Sequence, residues 1–383
     1  MPYDDELESI VAELNRAAAP GSRPAQGTPQ STASLDQLLG YAVQRSASDL
    51  LLIAGAAVAL RVDGKLTPAA GPVLSGEETR NLLLPLLGTR QHQELQKNKS
   101  IDFCFSRESI GRFRVNVHHQ RGTLAGTIRL LPARIPTLES LHLPTSLHRL
   151  AEARQGLVLI TGSAGSGKSS TLAALIDVIN STRRDHIVTV EDPIEFVHAN
   201  RSSIIEQMEV GHDAPDFASS VRSVLRQTPD VILVGEMRDV ETMATVLTAA
   251  ETGHLVFSTL HTNDTSQAIS RILDSFPQGN QPQTRQQLSL ALLAIVSQQL
   301  LPAADRGGRY PAVEIMMGTH AVRNLIRKGD DHQFYSAVST GRSEGMIAME
   351  QSLAEMVRAG RITRETALAH CFRSEDLRRY LQE

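Results

Sequence analysis

The stretch LVLITGSAGSGKS, residues 157–169, decides the fold. Its first five residues, 157–161, form an apolar run that predicts a buried strand. The remaining residues complete the pattern GxxxxGKS, which is typical of a glycine-rich loop between a strand and a helix. In such a loop successive backbone N–H groups converge on phosphate oxygens, and the positive end of the helix dipole faces the same point. The stretch therefore predicts a strand, a phosphate-binding loop and a helix.

Individual residues of this loop have separate predicted roles. Lys168 is expected to reach the β- and γ-phosphates of a nucleoside triphosphate, and the Ser169 hydroxyl is expected to ligate Mg²⁺. The expected nucleotide contacts are Gly162, Ser163, Ala164, Gly165, Ser166, Gly167, Lys168, Ser169 and Ser170. An ordinary turn rich in glycine and serine is the alternative, but the preceding strand favours the nucleotide loop.

The composition is that of a globular protein without a general affinity for nucleic acid. The chain has 383 residues, 41% of them apolar, which is enough for about two or three domains with full cores. Its 42 acidic residues outnumber 38 basic ones, for a net charge of −4, so the chain has no global basic field. Nucleic acid is therefore not an expected partner.

Cysteine usage and the start of the chain indicate the compartment. Cys104 and Cys371 lie far apart and outside any CxxC pattern, which argues against a zinc ribbon or a disulfide framework and fits a reducing compartment. No apolar stretch approaches the length of a membrane span. Residues 1–6 include Asp4, Asp5 and Glu6 and lack the basic start of a signal peptide. We therefore expect a cytoplasmic protein.

Strands and helices alternate from Gly156 onward, which is typical of a parallel sheet with crossover helices. Four apolar runs are predicted as its buried strands: Leu157 to Thr161, Ile187 to Val190, Val231 to Val234 and Leu255 to Ser258. Polar residues follow each run directly. Because ligands bind outside the carboxyl ends of parallel strands, these polar residues are expected to converge at the phosphate loop.

Acidic residues follow the second and third predicted strands. Glu236, at the tip of the third, is expected to hold Mg²⁺ or to orient the attacking water. Glu195 follows the second strand together with Glu191 and Asp192, and hydrolysis requires a base near the γ-phosphate. The alternative for any one of these acids is a helix cap, and Asp192 before Pro193 suits an N-cap followed by the first helical position.

Histidines and arginines complete the predicted site. His254 and His261 flank the fourth strand, where a histidine is able to hydrogen-bond the γ-phosphate; His261 is the favoured candidate. Arg112 and Arg114 share one face of a strand that alternates polar and apolar residues, and Arg129 follows on the next strand. Phosphoryl transfer needs arginines of this kind, while a solvated polar face is the alternative.

The chain is divided into four predicted segments. Residues 1–34 are expected to form a short amphipathic helix, over residues 3–17, and a flexible tether rich in Ala, Pro, Gly and Ser. Residues 35–131 have a mixed α+β texture that begins with a predicted helix over residues 35–44. Residues 132–155, which contain three prolines, are expected to connect two domains. Residues 156–383 contain the phosphate loop.

These motifs resemble those of the secretion-type hexameric ATPases, and most closely the PilT and PilU retraction ATPases of type IV pili. The resemblance runs from about Leu35 to the C-terminus. It includes segments similar to the family's aspartate box, atypical Walker B motif, histidine box and retraction-linked AIRNLIRE motif. The matching segments are Ala47–Leu50, Gly111–Asn116, Gly162–Ser169, Glu191–Phe196, Gly235–Asp239, Thr252–Thr262 and Ala321–Arg327.

The resemblance implies a PAS-like α+β N-terminal domain followed by a RecA-like α/β domain with a mainly parallel sheet and a helical C-terminal region, assembled as a homohexamer. It implies that Glu195 is the catalytic base and Glu236 the Walker B acid. It also implies that Arg114 and Arg129 reach nucleotide across a domain or subunit boundary, and that His254 and His261 belong to the site.

The activity implied by the resemblance is hydrolysis of ATP to power pilus retraction and twitching motility. The implied location is the cytoplasmic face of the inner membrane, on a pilus platform protein. Assembly motors of the superfamily usually carry a larger N-terminal region and a four-cysteine zinc site, which this chain lacks. Retraction is therefore the favoured function.

The sequence departs from the family at several positions. Leu51 stands where PilT commonly has His, Met208 where the family usually has Arg, and Lys328 where it has Glu. Residues 1–34 have no counterpart in the resemblance. A PilU-like accessory ring, which acts by binding a paralogous retraction ATPase, therefore stays open. A RecA-like nucleic-acid motor is a third hypothesis, against which the acidic charge balance argues.

Overall fold

The computed structural model describes residues 33–62, 64–305 and 307–382. The predicted amphipathic helix at residues 3–17 lies outside these ranges. The chain forms two compact units, of which the first ends at Ala133 and the second runs from Arg134 to Glu383.

The first unit is an antiparallel sheet with helices. Its sheet has six strands in the order β3-β2-β1-β6-β5-β4. Along the chain the elements are α1 (Leu35–Gln44), β1 (Asp49–Ile53), β2 (Ala57–Val62), β3 (Lys65–Val73), α2 (Gly76–Leu83), α3 (Thr89–Asn98), β4 (Ser100–Arg107), β5 (Gly111–Gln120) and β6 (Thr123–Leu130). A 3₁₀ turn at Leu84–Leu86 follows α2.

Side-chain alternation explains how this sheet packs. Phe113, Val115 and Val117 of β5 are at most 1% exposed, while Arg112 and Arg114 on the opposite face are half-buried. This arrangement confirms the half-buried strand predicted from the period of two. The result is a sheet with one apolar face toward the core and one face that bears arginines.

The second unit is an α/β fold around a seven-stranded sheet. The strand order is β13-β12-β7-β11-β10-β8-β9, and every pair is parallel except β12 with β13. Its first elements are α4 (His148–Glu152), β7 (Gly156–Thr161), α5 (Lys168–Thr182), β8 (His186–Glu191), β9 (Ile204–Glu209), α6 (Phe217–Val224), β10 (Val231–Val234), α7 (Val240–Glu251) and β11 (Leu255–Leu260). They continue as α8 (Thr265–Ser275), α9 (Gln281–Ala291), β12 (Leu292–Pro302), β13 (Arg309–Met317), α10 (His320–Lys328), α11 (Phe334–Thr340), α12 (Met349–Arg358), α13 (Arg364–His370) and α14 (Ser374–Gln382).

Two cores lie on opposite faces of this sheet. In β7, Leu157 and Leu159 pack into the core that contains α7 and α8, whereas Val158 and Ile160 pack into the core that contains α5. Both faces of the strand are buried because helices cover both faces of the sheet, so β7 is a continuous apolar run. A smaller core joins the last three helices to the ends of β12 and β13.

Two local features add detail to the sequence analysis. Within the predicted interdomain connection, residues 134–155 pack with the second unit, because Leu147 and Leu150 are buried in its core. The alternative role of Asp192 as a helix N-cap does not apply, because residues 192–203 form neither helix nor strand. Asp-Pro suits a change of chain direction as well as a helix start, and here the chain bends at residues 192 and 193.

The predicted fold class is confirmed. An α+β domain with an antiparallel sheet precedes a phosphate-loop domain with a mainly parallel sheet, and a helical region ends the chain. Among the described residues, no helix combines the length and the apolar character needed to cross a bilayer.

Candidate nucleotide site

The phosphate loop lies between the end of β7 and the start of α5, as predicted. Lys168 is 9% exposed, and its Nζ donates hydrogen bonds to the carbonyl oxygens of Gly162 and Ser163, both at 2.9 Å. Burial lowers the pKa of Lys168 from its ordinary value, while the charges of Glu236 and Glu195 oppose that change. Both carboxylates therefore lie close enough to act on the lysine electrostatically.

Glycine is required in this loop for two different reasons. Gly162 has φ +143°, and a Cβ there would overlap the carbonyl oxygen of Gln298 and the Ser166 hydroxyl. Gly165 has φ +76° and open space around it, so only its backbone conformation favours glycine. The loop is thus packed against β12 at Gly162 and free of such contact at Gly165.

Gln298 lies against the phosphate loop, and its role was not predicted from the sequence. This side chain on β12 is 3% exposed, and its Oε1 accepts a 2.8 Å hydrogen bond from Thr171 Oγ1 of α5. The same hydroxyl lies 3.2 Å from the carbonyl oxygen of Gly167. The sequence carries no signal for this role, because β12 joins β7 only through the strand order of the sheet.

Glu236 and His261 lie together at the ends of β10 and β11. Glu236 is 12% exposed at its side chain, and its two carboxylate oxygens lie 2.6 Å from Arg238 Nε and 3.5 Å from His261 Nε2. Thr259 Oγ1 donates a 2.6 Å hydrogen bond to the carbonyl oxygen of Gly235, which joins the two strand ends. The predicted convergence of strand ends therefore brings Glu236 and His261 together.

Glu195 is carried by the irregular segment after β8. It is half-buried, and among the described residues its carboxylate has no hydrogen-bond partner. Its charge raises the pKa of Lys168 against the effect of burial, so the Glu195 carboxylate lies within electrostatic range of the lysine of the loop. A carboxylate without a hydrogen-bond partner in the vicinity of Lys168 is suited to accept a proton from water.

His254 is not brought to this edge of the sheet. It precedes β11, its backbone carbonyl accepts a 2.9 Å hydrogen bond from Gly156 N, and its Nδ1 lies 3.0 Å from the carbonyl oxygen of Ala249. The phosphate loop follows β7, which runs parallel to β11, so the length of a strand separates the two. Within one chain the geometry therefore does not support the predicted nucleotide contact of His254.

The two predicted arginines lie in the first unit, opposite each other on β5 and β6. Arg129 Nε donates a 2.9 Å hydrogen bond to Oδ1 of Asp49, whose side chain is 8% exposed; Arg61 Nε lies 3.6 Å from the other oxygen of this carboxylate. Arg114 has no ion-pair partner within the described ranges. Arg129 is thus paired through Nε within its own unit, and its side chain is still 61% exposed.

The residues present fit the predicted magnesium ion. Ser169 lies in the first turn of α5 with its side chain half-buried, next to the lysine of the loop. Hydroxyl and carboxylate oxygens are ligands that Mg²⁺ prefers, and Ser169 and Glu236 supply one of each. Lys168, Glu195 and His261 add the further side-chain types that phosphoryl transfer to water uses.

Comparison with known proteins agrees with this chemistry. The family described as Type II/IV secretion system protein matches residues 33–373. The type IV pilus retractation ATPase PilT of Pseudomonas aeruginosa is 42% identical over 333 residues, which are 87% of this chain and 96% of that protein. The type IV pilus ATPase PilU of the same organism is 40% identical over 343 residues, 90% of each chain.

A solved structure extends the similarity to three dimensions. A crystal structure of the pilus retraction motor PilT with bound ADP matches with a TM-score of 0.84 and 43% identity. The match covers 91% of this chain and 100% of that one. The fold, the phosphate loop and the relatives agree on nucleotide binding and ATP hydrolysis. The chain therefore belongs to the Type II/IV secretion system family and is a PilT/PilU-like ATPase of that family.

Proposed function

We propose that this chain is the subunit of a homohexameric motor that hydrolyses ATP to retract type IV pili. The observation that carries the proposal is that the similarity to PilT extends over nearly the whole of that protein, at 42% identity over 96% of its length. It therefore includes both units, as well as the segment Ala321–Arg327, now found on α10 and similar to the retraction-linked motif.

In the proposed mechanism the chain's own residues bind and orient ATP. Lys168 exchanges its two loop carbonyls for the β- and γ-phosphates, together with backbone N–H groups of residues 162–170. Ser169 and Glu236 would hold Mg²⁺, which when bound neutralises charge on the phosphates. Glu195 accepts a proton from the water that attacks the γ-phosphate, and His261 hydrogen-bonds that phosphate.

Arginines from the first unit complete the site in the proposed ring. Arg114 and Arg129 neutralise the transferred phosphoryl group across a domain or subunit boundary. A heterologous contact repeated around six subunits closes such a ring, so each subunit contributes to its neighbour's site. The ring is proposed to lie at the cytoplasmic face of the inner membrane, on a pilus platform protein, with a paralogous retraction ATPase as a further partner.

The second candidate is a PilU-like accessory ring. PilU is 40% identical to this chain, and the match covers 90% of PilU. These values are close to the 42% identity and 96% coverage found for PilT. Such a ring acts mainly by binding another retraction motor, so its own hydrolysis is dispensable. Leu51, which stands where PilT commonly has His, favours this alternative.

A strain that lacks the gene tests retraction directly. We expect excess surface pili and no twitching, because pili that are extended and not withdrawn accumulate. The wild-type gene should restore twitching, and Glu195→Gln should not, since loss of a general base lowers turnover by about 100-fold or more. Glu206→Gln, which changes an exposed carboxylate on β9, is the matched control and should restore twitching.

Three outcomes would contradict parts of this proposal. Missing pili in the deletion strain would indicate assembly instead of retraction. Full restoration of twitching by Glu195→Gln would indicate the accessory role, provided that the purified variant has lost ATP turnover. A purified Glu195→Gln protein with wild-type turnover would show that Glu195 is not the base.

A further inference from the structure

The segment that carries Glu195 has no regular structure of its own. Residues 192–203 form neither helix nor strand, so neither a helical turn nor a strand ladder holds their backbone. The Glu195 carboxylate has no hydrogen-bond partner among the described residues, so no such bond orients it. The direction of this carboxylate is therefore set by the backbone on either side of it, and the contacts of that backbone become important.

Gln207 of β9 holds the segment on the C-terminal side of Glu195. Its side-chain Nε2 donates a 2.9 Å hydrogen bond to the carbonyl oxygen of Phe196, and its Oε1 accepts a 2.8 Å hydrogen bond from His198 N. The same Nε2 lies 3.2 Å from Oε1 of Glu191, at the end of β8. A single amide thus joins the segment to the carboxyl end of the neighbouring strand.

Glu209 holds the segment on the N-terminal side. Its Oε2 accepts a 3.1 Å hydrogen bond from Ile194 N. Residues 207 and 209 are two apart on β9, so both side chains lie on one face of the strand. Side chains of β9 therefore bind the backbone at residues 194, 196 and 198, and Glu195 lies between the first two of these attachment points.

Burial of the flanking side chains completes the restraint. Ile194 is 8% exposed and Phe196 is 5% exposed, whereas Glu195 between them is only half-buried. The side chains of Ile194 and Phe196 are anchored in the protein, and Gln207 holds the backbone. The Glu195 carboxylate between them therefore lies on the more exposed side of the segment. The arrangement determines where Glu195 points without any hydrogen bond to the carboxylate itself.

We propose that Gln207 is a positioning residue for ATP hydrolysis, which holds the backbone of residues 194–198 so that Glu195 faces the phosphate loop. The proposal rests on the proposed role of Glu195 as the base. Glutamine suits this position because its amide donates to one backbone group and accepts from another. An ionised glutamate has no donor for the carbonyl oxygen of Phe196, so the residue type is specific to the task.

Steady-state kinetics of the full-length protein test the proposal. In Gln207→Ala we expect kcat to fall about 10- to 100-fold, because a small displacement of a catalytic group has a large effect on rate. The KM for ATP and the affinity for ADP should stay within about twofold of wild type, because the hydrogen bonds of Gln207 go to Glu191, Phe196 and His198 and not to the phosphate loop. Glu206→Ala is the matched control on the other face of β9 and should leave all three values unchanged.

A double variant links the effect to Glu195. Combining Gln207→Ala with Glu195→Gln should give a kcat no lower than that of Glu195→Gln alone. The position of residue 195 no longer affects the rate once that residue is not a base. Gln207→Glu keeps the size of the side chain and serves if Gln207→Ala does not fold. It should also lower kcat, since the hydrogen bond to Phe196 is lost.

The outcomes separate the two proposals. If Glu195→Gln lowers kcat and a folded Gln207→Ala or Gln207→Glu keeps wild-type kcat, the positioning role is wrong and the base assignment stands. If Gln207→Ala raises the KM for ATP and weakens ADP binding by the same factor by which it lowers kcat, Gln207 supports nucleotide binding and the positioning role is wrong. If Glu195→Gln turns over ATP at the wild-type rate, the base assignment itself is wrong, and with it the proposed role of Gln207.

Discussion

His198 occupies a largely buried position beside the segment of the proposed base. Its Nδ1 is buried and has no hydrogen-bond partner among the described atoms. Burial lowers the pKa of His198 from its ordinary 6.5 to about 4; Asp177 opposes this change and Arg201 adds to it. These two neighbours also pair with each other, with Arg201 Nη1 3.1 Å from Asp177 Oδ2. The folded protein therefore keeps this imidazole neutral at neutral pH.

We predict that His198 makes the protein less stable toward acid. Between pH 6.5 and about 4 the unfolded chain binds a proton that the folded chain does not, so the free energy of unfolding falls as pH falls. The full loss from this group is at most about 3 kcal/mol. Thermal unfolding at pH 7.5 and pH 4.5 should show a smaller acid-induced drop in Tm for His198→Leu than for wild type. Parallel drops in the two proteins would contradict this assignment.

At the scale of elements, the phosphate loop shows how one motif combines two constraints. The loop has glycine at both residue 162 and residue 165, but the pattern GxxxxGKS fixes only the first of these, and the surroundings of the two differ. Gly162 lies against the backbone of β12, while a Cβ added to Gly165 would meet no atom within 4 Å. The contact at Gly162 exists because β12 is the neighbour of β7, so it depends on the sheet and not on the loop.

Alanine substitutions should separate these constraints. Gly165→Ala should lower the free energy of unfolding by about 1–2 kcal/mol, the cost of a left-handed backbone for a residue with a side chain. Gly162→Ala adds overlap with Gln298 and Ser166, so its cost should reach about 2–5 kcal/mol. Urea denaturation of the two variants, one the control of the other, measures the difference. Equal costs would show that the β12 contact is unimportant.

At the scale of the whole molecule, the proposed catalytic set is divided between two units. Lys168, Glu195 and Glu236 belong to the second unit, whereas Arg114 belongs to the first. Arg114 has no ion-pair partner in the part of the chain that the structure describes, unlike Arg129, which binds Asp49. An arginine of this kind is suited to act on a nucleotide held by another subunit.

Mixed rings test whether Arg114 acts between subunits. We expect Arg114→Ala and Glu195→Gln each to lose turnover alone, because each removes one half of every site. In an equimolar mixture about a quarter of the interfaces combine an intact Arg114 with an intact Glu195 of the neighbour, so about a quarter of wild-type turnover should return. Mixing Glu195→Gln with itself at the same total concentration is the control. No recovery in rings with demonstrated subunit exchange would indicate that Arg114 acts within its own chain or not at all.

Much of the fold could be predicted from local sequence. α1 and β10 have the predicted bounds, and the phosphate loop connects the predicted strand and helix. Each of these depends on a short-range pattern: an apolar run, a period of two, or a capping residue. The convergence of Glu236 and His261 was also predictable, because parallel strands end at one edge of their sheet.

Other features depended on contacts between residues far apart in the chain. Residues 134–155 pack in a core that their prolines do not predict, and Gln298 has no motif that marks it. Gln207 stands beside Met208 in a family segment, but that segment does not reveal its hydrogen bonds. His254 belongs to a motif, yet it precedes β11, whereas the phosphate loop follows the parallel strand β7. The two therefore lie at opposite ends of the strands.

The phosphate loop, the alternation of strands and helices and the types of the reactive side chains follow from the sequence alone, because each arises from interactions over a few residues. The residues that hold the reactive groups in place lie on β12, against the phosphate loop, and on β9, beside Glu195. Their positions depend on the order and direction of the strands. That order is a property of pairing between distant segments, which no local pattern records.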